Sequence, residues 1–185
     1  MRQVQSEEKR RKEFAEIALQ YMNSVYNVAL RMTRDETEAQ DLVQDAYLRA
    51  YRFFNKFEKG TNFKAWLFKI LKNIYINKYR KESKMPQMVD ISNIEASGDL
   101  ATTATPEDEI FDELLDDDVT IAIDALPEEF RLAIILSDLE GFAYKEVAEI
   151  LDIPIGTVMS RLHRGRRLLR NSLHEYARKR GYVKD

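Results

Sequence analysis

The chain has 185 residues, no cysteine, and 29 Lys/Arg against 32 Asp/Glu, for a formal net charge of -3. The lack of cysteine excludes disulfides, thiolate metal sites, cysteine nucleophiles and a thiol redox switch in the chain itself, and 44% hydrophobic residues are enough for modest cores in one domain or two small ones. Apolar runs are too short for a membrane span, and the charged start MRQVQSEEKRRKEF has no apolar stretch behind it, so a soluble cytoplasmic protein without a leader is expected.

From Phe14 to Lys81 apolar residues recur three and four apart, and no run alternates as a strand does, which predicts an all-helical first half. In RDETEAQDLVQDAYLRAYRFFNKF, the residues Leu42, Val43, Ala46, Ala50, Phe53, Phe54 and Phe57 make one broad stripe that must pack against other helices. Asp41, Gln44, Tyr47 or Leu48, and Tyr51 fall on a second stripe. That stripe reads as an acidic, aromatic docking face or, on spacing alone, as an ordinary solvated one. Gly60 then breaks the chain, and FKAWLFKILKNIYINKYRK is predicted to be a second strong helix with Phe63, Leu67, Ile70, Leu71 and Ile74 on its core side. The same helix interleaves Lys64, Lys69, Lys72, Lys78, Arg80 and Lys81 with Trp66, Phe68, Tyr75 and Tyr79, and sets Asn73 and Asn77 four apart on one edge. Cations, rings and side-chain amides in alternation suit single-stranded DNA, with Trp66 assigned to the core rather than to stacking. Asparagine is a poor helix former, so the two mid-helix amides call for a reason.

Residues 83–118 hold eleven Asp/Glu, one Lys and two of the four prolines, with no sustained period before PEDEIFDELL. They are expected to form an acidic linker between helical domains at 1–82 and 119–185. Asp116, Asp117 and Asp118 point in different directions, and His163 and His174 have no acid or nucleophile spaced to use them. No metal, cofactor or catalytic residue is therefore expected.

Beyond the linker, Val147, Ala148 and Leu151 form one inner face, DIPIG interrupts it, and Val158 and Leu162 begin another. Two helices about a tight turn make a helix-turn-helix, with Ala148 small enough to admit the crossing helix and Pro154 keeping its predecessor out of helix. Asp152 stands where such turns often carry glycine. The second helix, read as starting at Thr157, offers Thr157, Met159, Ser160, His163 and Arg164, then Arg166, Arg167 and Arg170. Early residues of such a helix reach base edges, and later arginines pair with phosphates. Residues 155–184 carry nine Lys/Arg and one acid, whereas 119–154 carry two and eight, so the basic charge is gathered for duplex DNA.

Together DLVQDAYLRAYRFFNKF, GTNFKAWLFKILKNIYINKYRK and LPEEFRLAIILSDLEGFAYKEVAEILDIPIGTVMSRLHRGRRLLR resemble the extracytoplasmic-function sigma factors, the promoter-specificity subunits of bacterial RNA polymerase. The resemblance covers residues 14–82 and 119–180. It implies a first domain equivalent to sigma region 2 and a second equivalent to region 4. It also implies that Asp41, Gln44, Asp45, Tyr47, Leu48 and Tyr51 dock on the clamp helices of the largest catalytic subunit of core RNA polymerase. Lys59, Thr61, Asn62, Lys69, Asn73, Asn77, Arg80 and Lys81 would receive the melted −10 element. Thr157, Met159, Ser160, Arg161, His163, Arg164, Arg166 and Arg167 would bind the −35 duplex. An anti-sigma factor is the implied regulator. Within the family, GTN.KAWL, N.YIN.YRK and GTVMSRLHRGRR are most similar to the redox-stress SigR/SigH branch, whose anti-sigma partner contains zinc and lets go on oxidation. The alternative, a stand-alone helix-turn-helix regulator, would need a ligand pocket or a strand-built receiver in its first half, where no strand is predicted.

Overall fold

Asp35 opens an 18-residue helix of the core. Its carboxylate accepts the Glu38 N–H at 2.8 Å, and the left-handed Arg34 (φ 59°) before it ends the preceding helix. The computed structural model describes residues 2–82 and 117–181, and every regular element in them is helical, as expected. They build two compact units.

The first unit contains α1 (Arg2–Ala18), a 3-10 turn (Leu19–Tyr21), α2 (Met22–Thr33), α3 (Glu36–Phe53), a second 3-10 turn (Phe54–Lys56) and α4 (Phe63–Glu82). Helix α3 packs on α2 and α4, with Ala29, Ala39, Ala46 and Ala50 fully buried where the helices close. Leu42, Val43, Phe54 and Phe57 are buried as the periodicity requires, but Phe53 is only half-buried, with the Lys56 ammonium 5.4 Å from its ring centroid. Ile74 is half-buried as well. Phe68, expected among the cations, is instead 1% exposed. The first turns of α4 are covered by both α2 and α3, so Phe63, Trp66, Leu67, Phe68, Ile70 and Leu71 are all buried and the core spreads well beyond one stripe. Gly60 sits at φ 98°, in the left-handed region that a β-carbon disfavours, which is why the chain turns there.

The second unit contains α5 (Asp117–Asp124), α6 (Glu128–Ile134) running into a π turn (Ile135–Leu139), α7 (Tyr144–Leu151), α8 (Ile155–Ser172) and α9 (His174–Lys179). Of the expected linker, only Asp117 and Asp118 lie among the described residues, and they open α5. Buried Arg131 closes the α5–α6 corner by donating to the carbonyls of Asp124 and Leu126, both at 3.3 Å. The core is aliphatic: Ile134, Ile135, Val147, Ile150, Val158 and Leu162 are at most 1% exposed. Ile150 fills the inner place expected of Ala148, which is half-buried. The turn is shorter than DIPIG. Asp152 takes the left-handed conformation (φ 56°), which aspartate tolerates better than most residues. Pro154 then caps α8, its carbonyl accepting the N–H of Thr157 at 2.9 Å, so α8 starts at Ile155 rather than Thr157 and takes Gly156 into its first turn. No helix among the described residues is long and apolar enough to cross a membrane.

Candidate nucleic-acid and partner surfaces

On α3, Asp41, Gln44, Asp45 and Leu48 are exposed, Leu48 by 61%. Of these, Gln44 and Leu48 line an apolar groove of about 530 Å³ whose walls also include Phe14, Ala15, Leu19, Met22 and Val43. Leu19 (56% exposed) and Met22 belong to the α1–α2 corner and went unmarked in the sequence, where their only signal is two large apolar residues off the buried stripe. Tyr47 and Tyr51 line the same groove but also serve the fold. The Tyr47 hydroxyl donates to the Ala18 carbonyl at 2.9 Å, and burial pushes it well above the ordinary tyrosine range. The Tyr51 ring meets Phe14 edge-on at 5.3 Å and carries the Arg10 guanidinium 4.7 Å from its centroid.

Around α4 the expected strand-binding residues form two groups. At the loop before the helix, the Lys59 ammonium pairs with Glu13, the Thr61 hydroxyl donates to the Glu58 carbonyl at 2.8 Å, and the Asn62 side chain accepts the Ala65 N–H at 3.1 Å. Asn62 is thus the cap of α4, and Lys59 ties the loop to α1. Further along, Lys69, Asn73 and Asn77 recur every four residues on one half-buried row, and the Asn73 side chain accepts from Lys72 at 3.1 Å. At 1.5 Å per residue the two groups are spread over about 22 Å of helix. The side chains of Arg80 and Lys81 lie outside the described residues.

On α8, Val158, Leu162 and Gly165 face inward, while Met159, Ser160, His163, Arg164, Arg167 and Arg170 are exposed and Thr157 is half-buried. Arg161 and Arg166 behave differently. Arg161 Nη2 lies 3.2 Å from Glu129 Oε2. Arg166 makes a two-pronged pair with Asp138, Nη2 to Oδ1 at 2.6 Å and Nε to Oδ2 at 3.0 Å, and its Nη1 donates to the Tyr144 hydroxyl at 3.2 Å. Its hydrogen bonds to Asp138 and then to Tyr144 hold the guanidinium protonated beyond even the usual arginine range. Neither pairing could be read from the sequence, since the partners stand about thirty residues apart. Among the described residues no group of His, Asp and Glu side chains is placed to hold a metal ion.

Two family models match the chain: Sigma-70 region 2 over residues 17–85 and Sigma-70, region 4 over residues 118–169. The chain is 33% identical to the ECF RNA polymerase sigma factor SigE of Mycolicibacterium smegmatis over 165 residues, covering 88% of this chain and 62% of that relative. It is 32% identical to SigW of Bacillus subtilis, covering 88% and 89%. Among solved structures, the sigma factor RpoE of Bartonella quintana, in complex with the anti-sigma factor NepR, aligns with a TM-score of 0.68 and 30% identity over 88% of this chain and 98% of that one.

Proposed function

The chain belongs to the extracytoplasmic-function sigma factors of the sigma-70 family, which makes it a non-enzymatic alternative sigma factor of the stress-response type for transcription initiation, and on that premise we propose how its surfaces divide the work. The α3 face of Asp41, Gln44, Asp45 and Leu48, with Tyr47 and Tyr51 behind it, docks on the clamp helices of core RNA polymerase in the cytoplasm. The row of Lys69, Asn73 and Asn77, with Lys59, Thr61 and Asn62 at the loop and Arg80 and Lys81 at the far end, receives the melted −10 strand. Helix α8 enters the major groove of the −35 element. Thr157, Met159, Ser160, His163 and Arg164 are its base-reading residues, and Arg167 and Arg170 its phosphate contacts.

The observation that carries this reading is the opposition on α8 between a fully buried line, Val158 and Leu162, and an outward face of hydroxyl, imidazole and guanidinium groups. Run-off transcription with core polymerase and the purified chain tests it: promoter-specific transcripts appear only when both are present. A chain that footprints DNA equally well with and without core polymerase is a stand-alone regulator instead. Within the proposal, Asp41→Ala with Gln44→Ala weakens binding to core polymerase while thermal melting stays nearly unchanged, because both side chains are exposed.

For regulation, an anti-sigma factor that covers the α3 face competes with polymerase. The Bartonella relative, solved with NepR, supports a partner of that class. Placement in the redox-stress branch rests on the motifs GTN.KAWL, N.YIN.YRK and GTVMSRLHRGRR alone. Because the chain has no cysteine, sensing there falls to a zinc-containing partner. A cognate inhibitor that is zinc-free and unmoved by oxidant would remove the branch and leave the sigma factor.

A further inference from the structure

The five arginines of α8 fall into two sets by position. At about 100° per residue, Arg164 and Arg167 lie across the helix from the buried line of Val158, Leu162 and Gly165, and Arg170 lies off that line as well. Arg161 and Arg166 flank the line, one on each side. Both flanking arginines meet carboxylates, and both carboxylates belong to one continuous helical element. Glu129 is in the first turn of α6, and Asp138 is in the π turn that extends it.

Between these two grips the helices cross at Gly165, where α8 has no side chain of its own. A β-carbon at Gly165 would stand 3.0 Å from Ile134 Cγ1 and 3.3 Å from Phe130 Cβ, so the α8 backbone rests against these two α6 side chains. Gly165 contributes no knob of its own, so this point of the crossing does little to set the roll of α8 about its own axis. Charged pairs on either side do set it, the two-pronged Arg166–Asp138 pair most firmly because a guanidinium fork meets a carboxylate in one plane, with the single Arg161–Glu129 contact holding the other side. The π turn, closed by the Glu140 N–H to the Ile135 carbonyl at 2.9 Å, places Asp138 on the Arg166 side of the crossing. A roll of about 20° would carry an outward atom, roughly 5 Å from the axis, through about 2 Å. That is enough to break a base-edge hydrogen bond.

We propose that Glu129 and Asp138, with Tyr144, grip Arg161 and Arg166 to fix the roll of α8, and that these two arginines are positioning residues and not DNA ligands. The proposal rests on α8 being the −35 reader and narrows the set of residues the family resemblance implied. Among the described residues no carboxylate pairs with Arg164, Arg167 or Arg170, so the charge that the helix can offer to DNA resides in them.

The test uses the full chain and two duplexes, one carrying the −35 sequence selected from a randomised pool by the chain with core polymerase, the other a scrambled control. Salt dependence of binding counts phosphate contacts, at a slope of roughly 0.9 per contact. Arg167→Ala is expected to lower the slope by about one contact. Arg166→Ala is expected to leave the slope unchanged and to shrink the ratio of selected to scrambled affinity at least a few-fold. Asp138→Asn frees the guanidinium, so the slope steepens while that ratio also shrinks. Arg166→Lys keeps the charge but loses the fork, and gives the reduced ratio without a change of slope even if Asp138→Asn folds poorly. A loss of slope in Arg166→Ala equal to that in Arg167→Ala, with the ratio intact, overturns the proposal. If Arg164→Ala and Arg167→Ala change neither quantity, it is the reading of α8 as a DNA helix that fails, and the grip falls with it.

Discussion

In the first unit Phe14, Phe54, Phe57, Phe63 and Trp66 meet with ring centroids 5.1 to 6.3 Å apart, whereas the centre of the second is built from Ile134, Ile135, Val147, Ile150, Val158 and Leu162. Rings span wide gaps between helices. They let α1 lean against α3 through Phe14, and the corner beyond them stays open as the apolar groove beside Leu19 and Leu48. Branched aliphatics and Gly165 do the reverse, drawing the α8 backbone close against the Ile134 and Phe130 side chains of α6 and leaving the far side of α8 to solvent. A spaced core thus leaves the recess proposed for a partner, and a close one holds the helix proposed for reading. The caps differ likewise. Asp35 and Asn62 cap α3 and α4 with side chains, while α8 starts on Pro154 with none.

The largest blow to this contrast comes at Phe63, whose ring lies against Phe14, Tyr21, Phe54, Phe57 and Trp66. Phe63→Ala should cost the first unit about 3 to 5 kcal/mol. Trp66, the single tryptophan, reports that unit alone, so its fluorescence transition in urea should move far to lower denaturant. A shift of the size expected for a surface mutant would show that the rings are not one cluster.

Next in size is Gly165→Leu, which forces a side chain into the α6–α8 contact and should cost the second unit roughly 1 to 3 kcal/mol. Circular dichroism should register the loss while the Trp66 transition stays in place. If the helix gained stability, as propensity alone suggests for replacing a helical glycine, the close crossing would be disproved.

Smaller again is Asn62→Ala, at about 1 kcal/mol for a lost helix cap. Asn62→Asp, which still accepts the Ala65 N–H, should restore the melting midpoint. Because the same residue stands in the proposed −10 surface, restored melting without restored open-complex formation would separate its two roles. The mildest change, Tyr47→Phe, keeps the ring and deletes one hydrogen bond, so it should cost about 0.5 to 1.5 kcal/mol. Affinity for core polymerase should hardly move, since the hydroxyl is turned inward to Ala18. A large drop in affinity would instead put that hydroxyl at the interface.

Much of this was legible in the residue order. Leu42, Val43, Ala46 and Ala50, and likewise Val147 and Leu151 with Val158 and Leu162, repeat with the helical period because each lies on a face that must leave water. The two halves of the helix-turn-helix, the break at Gly60 and the outward array from Ser160 to Arg170 follow from that period together with local backbone chemistry. Phe68 escaped because a single stripe describes a helix with one buried side, and α4 is covered on more than one.

What the sequence determined by itself was therefore whatever depends on neighbours a few residues away: helix identity, turns, caps and the broad choice of inner and outer faces. Tertiary structure alone decided which cations remain free. Lys59 and Glu13, Arg166 and Asp138, and Arg161 and Glu129 are each separated by tens of residues, and nothing local distinguishes these cations from Arg164 or Arg167. Coulomb attraction falls with distance and is screened by water, so a charge finds its partner only after packing has brought the two within about 4 Å.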